Sequence, residues 1–131
     1  MLITEKYCET FSVDIFVGSE QWSKNIAVEE FSLYYERVTK ICQEFCDEVG
    51  LCVHIQKVDY VYTQGSESGV KVGLINYPRF PKNHRRIINQ ALDLGRLLLI
   101  QCKQKRITVV APDGSYLLEN YELLEEISCT S

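Results

Sequence analysis

The feature that most constrains this chain is a hydrophobic period that switches from two to 3.6 and back, twice. From Thr10 to Gly18, Phe11, Val13, Ile15 and Val17 alternate with Ser12, Asp14 and Phe16, the pattern of a strand. A polar loop with Trp22 follows over Ser19–Asn25. Between Val28 and Val49 the period changes: Phe31, Tyr34, Tyr35, Val38, Ile41, Cys42, Phe45 and Val49 fall on one helical face. Glu29 and Glu30 suit the first turn and Gly50 the stop.

The second round repeats the first. Leu51–Thr63 reads as a long strand whose apolar set slips from Leu51, Val53 and Ile55 to Val58, Tyr60 and Tyr62, which predicts a bulge near Gln56–Lys57. Gln64–Gly69 has the glycines and small polar residues of a hairpin loop, and Val70–Tyr77 returns as the partner strand. Two prolines take Tyr77–Pro81 out of the sheet. Asn83 then caps a helix to about Lys103, with Ile87, Ile88, Ala91, Leu94, Leu98 and Cys102 as its stripe. Ile107–Ala111 and Tyr116–Glu119 flank the turn Pro112-Asp113-Gly114-Ser115, and Asn120 caps a short helix through Ile127.

The order β-α-β-β-α-β-β predicts an α+β fold. Its core is a ferredoxin-like βαββαβ unit with an extra C-terminal hairpin strand, an antiparallel sheet carrying two helices on one face. With 131 residues the chain is expected to be a single domain, 119–131 forming an acidic helix and tail. Its 46% apolar and 24% charged residues exclude disorder. No apolar run is long enough to span a membrane, so a cytoplasmic location is expected. The six cysteines are then expected to be thiols.

Charge is sorted along the chain. Residues 1–50 carry −6, residues 51–110 carry +7 and residues 111–131 carry −5. Acidic and basic blocks predict a homo-oligomer held partly by charge, helped by uncovered sheet edges. The basic block peaks at the start of the second helix, where Lys82, His84, Arg85 and Arg86 crowd a first turn that favours acids. An anion docked there would reverse the penalty, because free N–H groups and guanidinium forks converge on phosphate.

The expected ligand site is therefore Tyr77, Arg79, Phe80, Lys82, Asn83, His84, Arg85 and Arg86. The basic side chains would hold phosphate, Asn83 and His84 would donate hydrogen bonds, and Tyr77 and Phe80 would stack a base. The plainer alternative is that acidic segments of the same protein neutralise this cluster.

No nucleophile–base–orienter set is visible, so no catalytic residue is assigned and an enzyme is not expected. Cys42, Cys46, Cys52 and His54 are zinc-competent, but they lack the spacing of a structural site, and no metal or cofactor is expected. The resulting expectation is a non-catalytic protein that captures an anionic small molecule, most plausibly a nucleotide signal. The alternatives are an interaction module or inhibitor binding an acidic protein, and a small phosphoesterase with His84 as base. The net charge of −4 argues against nucleic acid.

Two local resemblances complete the reading. Ile15-Phe16-Val17-Gly18 resembles the shorter RNA-contacting motif of RNA-recognition domains. The longer motif's aromatic pair has no counterpart in Val70–Ile75, so the match is read as a strand. The stretch Cys52–Pro81, above all Val72-Gly73-Leu74-Ile75-Asn76-Tyr77-Pro78-Arg79-Phe80-Pro81, resembles small uncharacterised bacteriophage accessory proteins. That resemblance implies action in a host cytoplasm against a host defence by sequestration, and it transfers no catalytic residue.

Overall fold

The computed structural model describes residues 1–19 and 28–124; the Trp22 loop and the end of the acidic tail lie outside them. The elements are β1 (Ser12–Val17), α1 (Val28–Val49), β2 (Val53–Tyr62), β3 (Gly65–Ile75), α2 (His84–Gln101), β4 (Arg106–Ala111) and β5 (Gly114–Glu119), followed by one helical turn at 121–124. All five strands lie in one antiparallel sheet of order β2-β3-β1-β4-β5. The first four have the ferredoxin-like arrangement, and β5 adds the extra edge. None of the described helices is long and apolar enough to cross a membrane.

Both helices pack on one face. Val13, Ile15 and Val17 of β1, Val70, Val72 and Leu74 of β3, and Ile107 and Val109 of β4 all bury their side chains there. They meet Tyr34, Val38, Ile41, Cys42 and Phe45 of α1 and Ile87, Ile88, Ala91, Leu94 and Leu98 of α2 in one core. α1 ends where Gly50 takes φ 73° and its N–H closes on the Cys46 carbonyl at 2.9 Å. α2 begins where the Asn83 side chain accepts from the Arg86 N–H at 2.8 Å. Burial pushes the Cys42 thiol up to about 12 and the Cys102 thiol up to about 11, marking both as inert core side chains.

Two expectations about the β2–β3 hairpin are corrected. No bulge interrupts it: the register runs without a break from Val53↔Leu74 to Tyr62↔Gly65. The loop is only Thr63–Gln64, with Gln64 at φ 62°, and the supposed loop residues Gly65–Gly69 belong to β3. The cause is length. β1 pairs with β3 only as far as Val17↔Val70, so five β2–β3 pairs project beyond it. There the helix-side positions Asp59 and Val61 have no core to enter. The apolar and aromatic residues Val58, Tyr60 and Tyr62 sit on the opposite face, which reads in sequence as a phase slip.

Removing a large core side chain tests the packing. Phe45→Ala is expected to cost about 3–5 kcal/mol in chemical denaturation. A midpoint equal to that of the native sequence would contradict the assignment of the α1 stripe to the core.

Candidate functional site

Two polar clusters sit at opposite ends of the sheet. One surrounds the start of α2, beside the Ser12↔Ile75 end of the ladder. The other surrounds Glu67, past the Val17↔Val70 end.

The first cluster contains the residues singled out from sequence, and most of them engage their own chain. The Lys82 ammonium donates to the Gly50 carbonyl at 2.8 Å and to Gln90 Oε1 at 3.3 Å. Burial, and then the Arg86 charge, lower its pKa from the ordinary lysine value. Asn83 is occupied as the cap of α2. His84 stacks on Phe11 with ring centroids 4.0 Å apart, and its Nε2 lies 3.8 Å from Glu9. Arg85 lies 3.6 Å from Asp113. The Tyr77 and Phe80 rings tilt against each other at 5.3 Å. Among the described residues, Arg79 and Arg86 form no ion pair. The structure therefore brings the eight residues near one another, while Glu9 and Asp113 supply part of the neutralising charge.

The second cluster is built from chain ends. β1 stops at Val17, and Gly18 and Ser19 lie beside the projecting hairpin. The Ser19 N–H donates to Glu67 Oε2 at 3.0 Å, and the Ser19 hydroxyl donates to the Ser68 carbonyl. Tyr34 reaches over the end of β1 from the helix side, and its hydroxyl donates to the Gly18 carbonyl at 2.5 Å. Tyr60 is the cross-strand partner of Glu67, and its hydroxyl donates to the Val70 carbonyl at 2.7 Å.

Glycine is what permits this closeness. A Cβ on Gly18 would lie 2.8 Å from the Glu67 carboxylate, and one on Gly69 would lie 2.3 Å from the Val17 carbonyl and 2.5 Å from the Tyr60 ring. Aromatic rings lie over two further β3 glycines, Tyr62 over Gly65 and His54 over Gly73.

Electrostatically this end is a carboxylate near one buried and one half-buried phenol. Burial pushes Tyr60 up to about 12, and the nearby Glu67 charge pushes in the same direction. Tyr34 is raised further, first by burial, with smaller contributions from Cys102, Tyr60 and Glu67. A carboxylate held by a backbone N–H beside buried phenols can attract and orient a cation.

Glu67, Tyr60, Tyr34, Gly18 and Ser19 were not legible as a site in sequence. One signal was present: Glu67 is one of only three acids among residues 51–110, and it sits between glycines and serines.

No family model matches the sequence, and no curated protein matches it. Among solved structures, a phage SAM lyase in its apo state shares the fold with a TM-score of 0.63 and 18% identity, over 91% of this chain and 97% of that one. A phage SAM lyase in complex with S-methyl-5'-thioadenosine matches with a TM-score of 0.61 and 17% identity, over 92% and 97%. Both are phage proteins, in keeping with the resemblance to phage accessory proteins. Both are also enzymes, and this overturns two expectations: that of non-catalytic nucleotide capture and that of a chain that is not an enzyme. Sequence reasoning looked for a nucleophile, base and orienter, a test suited to hydrolysis.

The glycine contacts make a paired test. Gly69→Ala drives a methyl into backbone and is expected to destabilise by about 1–3 kcal/mol. Gly18→Ala meets only the far end of the Glu67 side chain and is expected to cost less, while displacing the carboxylate. Urea unfolding of both variants measures the difference; equal losses would contradict this account of the site.

Proposed function

We propose that the chain is a lyase that cleaves SAM, with the substrate captured at the Glu67 carboxylate. The observation that carries this reading is the seating of that carboxylate on the Gly18–Ser19 backbone, across the hairpin from Tyr60. SAM bears a sulfonium and an ammonium against a single carboxylate, so its net charge is positive. The Glu67 end attracts such a cation and the Tyr77–Arg86 end repels it. An opposite charge at ~4 Å and an effective dielectric near 20 contributes about 4 kcal/mol before desolvation.

When the substrate's own carboxylate oxygen attacks the sulfur-bound carbon of the amino-acid arm, that arm closes to a lactone as the carbon–sulfur bond breaks, leaving the neutral thioether S-methyl-5'-thioadenosine, the molecule bound by one structural neighbour. The sulfonium loses its charge in that step, so walls that exclude water favour it. The half-buried ring of Tyr60, across the hairpin from Glu67, supplies such a wall. Glu67 accordingly serves capture and orientation, while the low-polarity surround serves bond breaking.

The purified protein incubated with SAM is expected to release S-methyl-5'-thioadenosine, resolved by chromatography with mass detection. Glu67→Gln keeps the shape and removes the charge. It is expected to lower kcat/KM roughly ten- to hundredfold, mostly through KM, as loss of a charged hydrogen-bonding partner does. Intact SAM recovered from the native protein would overturn the reading.

Action in the host cytoplasm and assembly as a homo-oligomer belong to the same proposal. The helix-free face of the sheet exposes Ile75, Val110 and Leu117 at 38%, 38% and 57%, apolar side chains that a second copy would cover. Light scattering across a salt series is expected to give a mass above that of one chain. A single-chain mass at every salt and protein concentration would remove the oligomer.

A further inference from the structure

We propose that Tyr34 is a positioning residue for Glu67, acting through the Gly18–Ser19 turn without touching the substrate. This rests on the reading of Glu67 as the capturing carboxylate. Tyr34 is fully buried in the α1 stripe, where a phenylalanine would fill the same space. A phenol in a core is favourable only if its hydroxyl is bonded. Its bond goes to the Gly18 carbonyl at 2.5 Å, with the Val17 carbonyl 3.5 Å away.

That contact falls where β1 has left its ladder. Beyond Val17 no strand pairing holds Gly18 and Ser19, and the N–H of the Gly18–Ser19 peptide, that of Ser19, is the one that grips Glu67 Oε2. The Ser19 hydroxyl fastens the same turn to the Ser68 carbonyl, adjacent to Glu67 in sequence. The orientation of the carboxylate is thus relayed from helix to turn to hairpin: Tyr34 fixes the Gly18 peptide plane, the Gly18–Ser19 turn aims an N–H, and the N–H holds Glu67. A shift of the turn by a fraction of an ångström would be passed to the carboxylate, and small misplacements of substrate-orienting groups are costly in rate.

The test is a double-mutant cycle on SAM cleavage with Tyr34→Phe, Glu67→Gln and the double variant, read together with hydrogen exchange of the Ser19 amide. Tyr34→Phe is expected to lower kcat/KM about tenfold when Glu67 is present and less than twofold when Gln replaces it. It is also expected to speed exchange at Ser19 at least tenfold while the core amides of α1 stay protected. An equal loss in both backgrounds would overturn the proposal, as would unchanged exchange at Ser19. A Tyr34→Phe chain that does not fold would assign the hydroxyl to the stability of the core and overturn the positioning role. Absence of SAM turnover in the native protein, with the Ser19 effect intact, would sink the lyase reading and leave the positioning role standing.

Discussion

The structure depends on where β1 ends. This central strand is gripped by β3 on one side and β4 on the other, and its inward side chains form the middle of the core. It stops at Val17 while its neighbour β3 starts five residues earlier, at Gly65. That mismatch leaves a projecting hairpin, a turn with no ladder partner and a corner between them. Antiparallel pairing satisfies backbone groups only where two strands overlap, so the groups at the corner must find other partners. They find Tyr34, Ser19, Ser68 and the Glu67 carboxylate.

The two ends of the sheet carry opposite chemistry. At the α2 end, cations outnumber their partners, Tyr77 and Phe80 contact each other, and His84 stacks on Phe11. At the hairpin end, a carboxylate sits among phenols whose hydroxyls are spent on backbone carbonyls. The buried ring of Tyr34 and the half-buried ring of Tyr60 lower the local polarity. The result is a corner built around a negative charge, opposite in sign to the α2 start that charge counting along the chain singled out.

The fold was largely legible because its signals are local. The period of α1, the Gly50 stop, the Asn83 cap and the Pro112–Gly114 turn each depend on neighbours within a few residues. The hairpin was misread because its signal is relational. Val58, Tyr60 and Tyr62 look like a phase slip until it is known that β1 and the helices no longer cover that stretch. Glycines 65 and 69 look like a loop until aromatic rings are seen lying across them.

By itself, then, the sequence determined the order of elements, which face of each helix is apolar, and a net charge divided into blocks. Those are properties of composition and spacing, fixed by short-range backbone preference and hydrophobic period. Only the tertiary structure decided that Gly18, Tyr34, Tyr60 and Glu67 share a corner, because their meeting depends on register and on the unequal lengths of β1 and β3. Register is set by burying one face of every strand at once, a condition on the whole sheet that no short window of the chain contains.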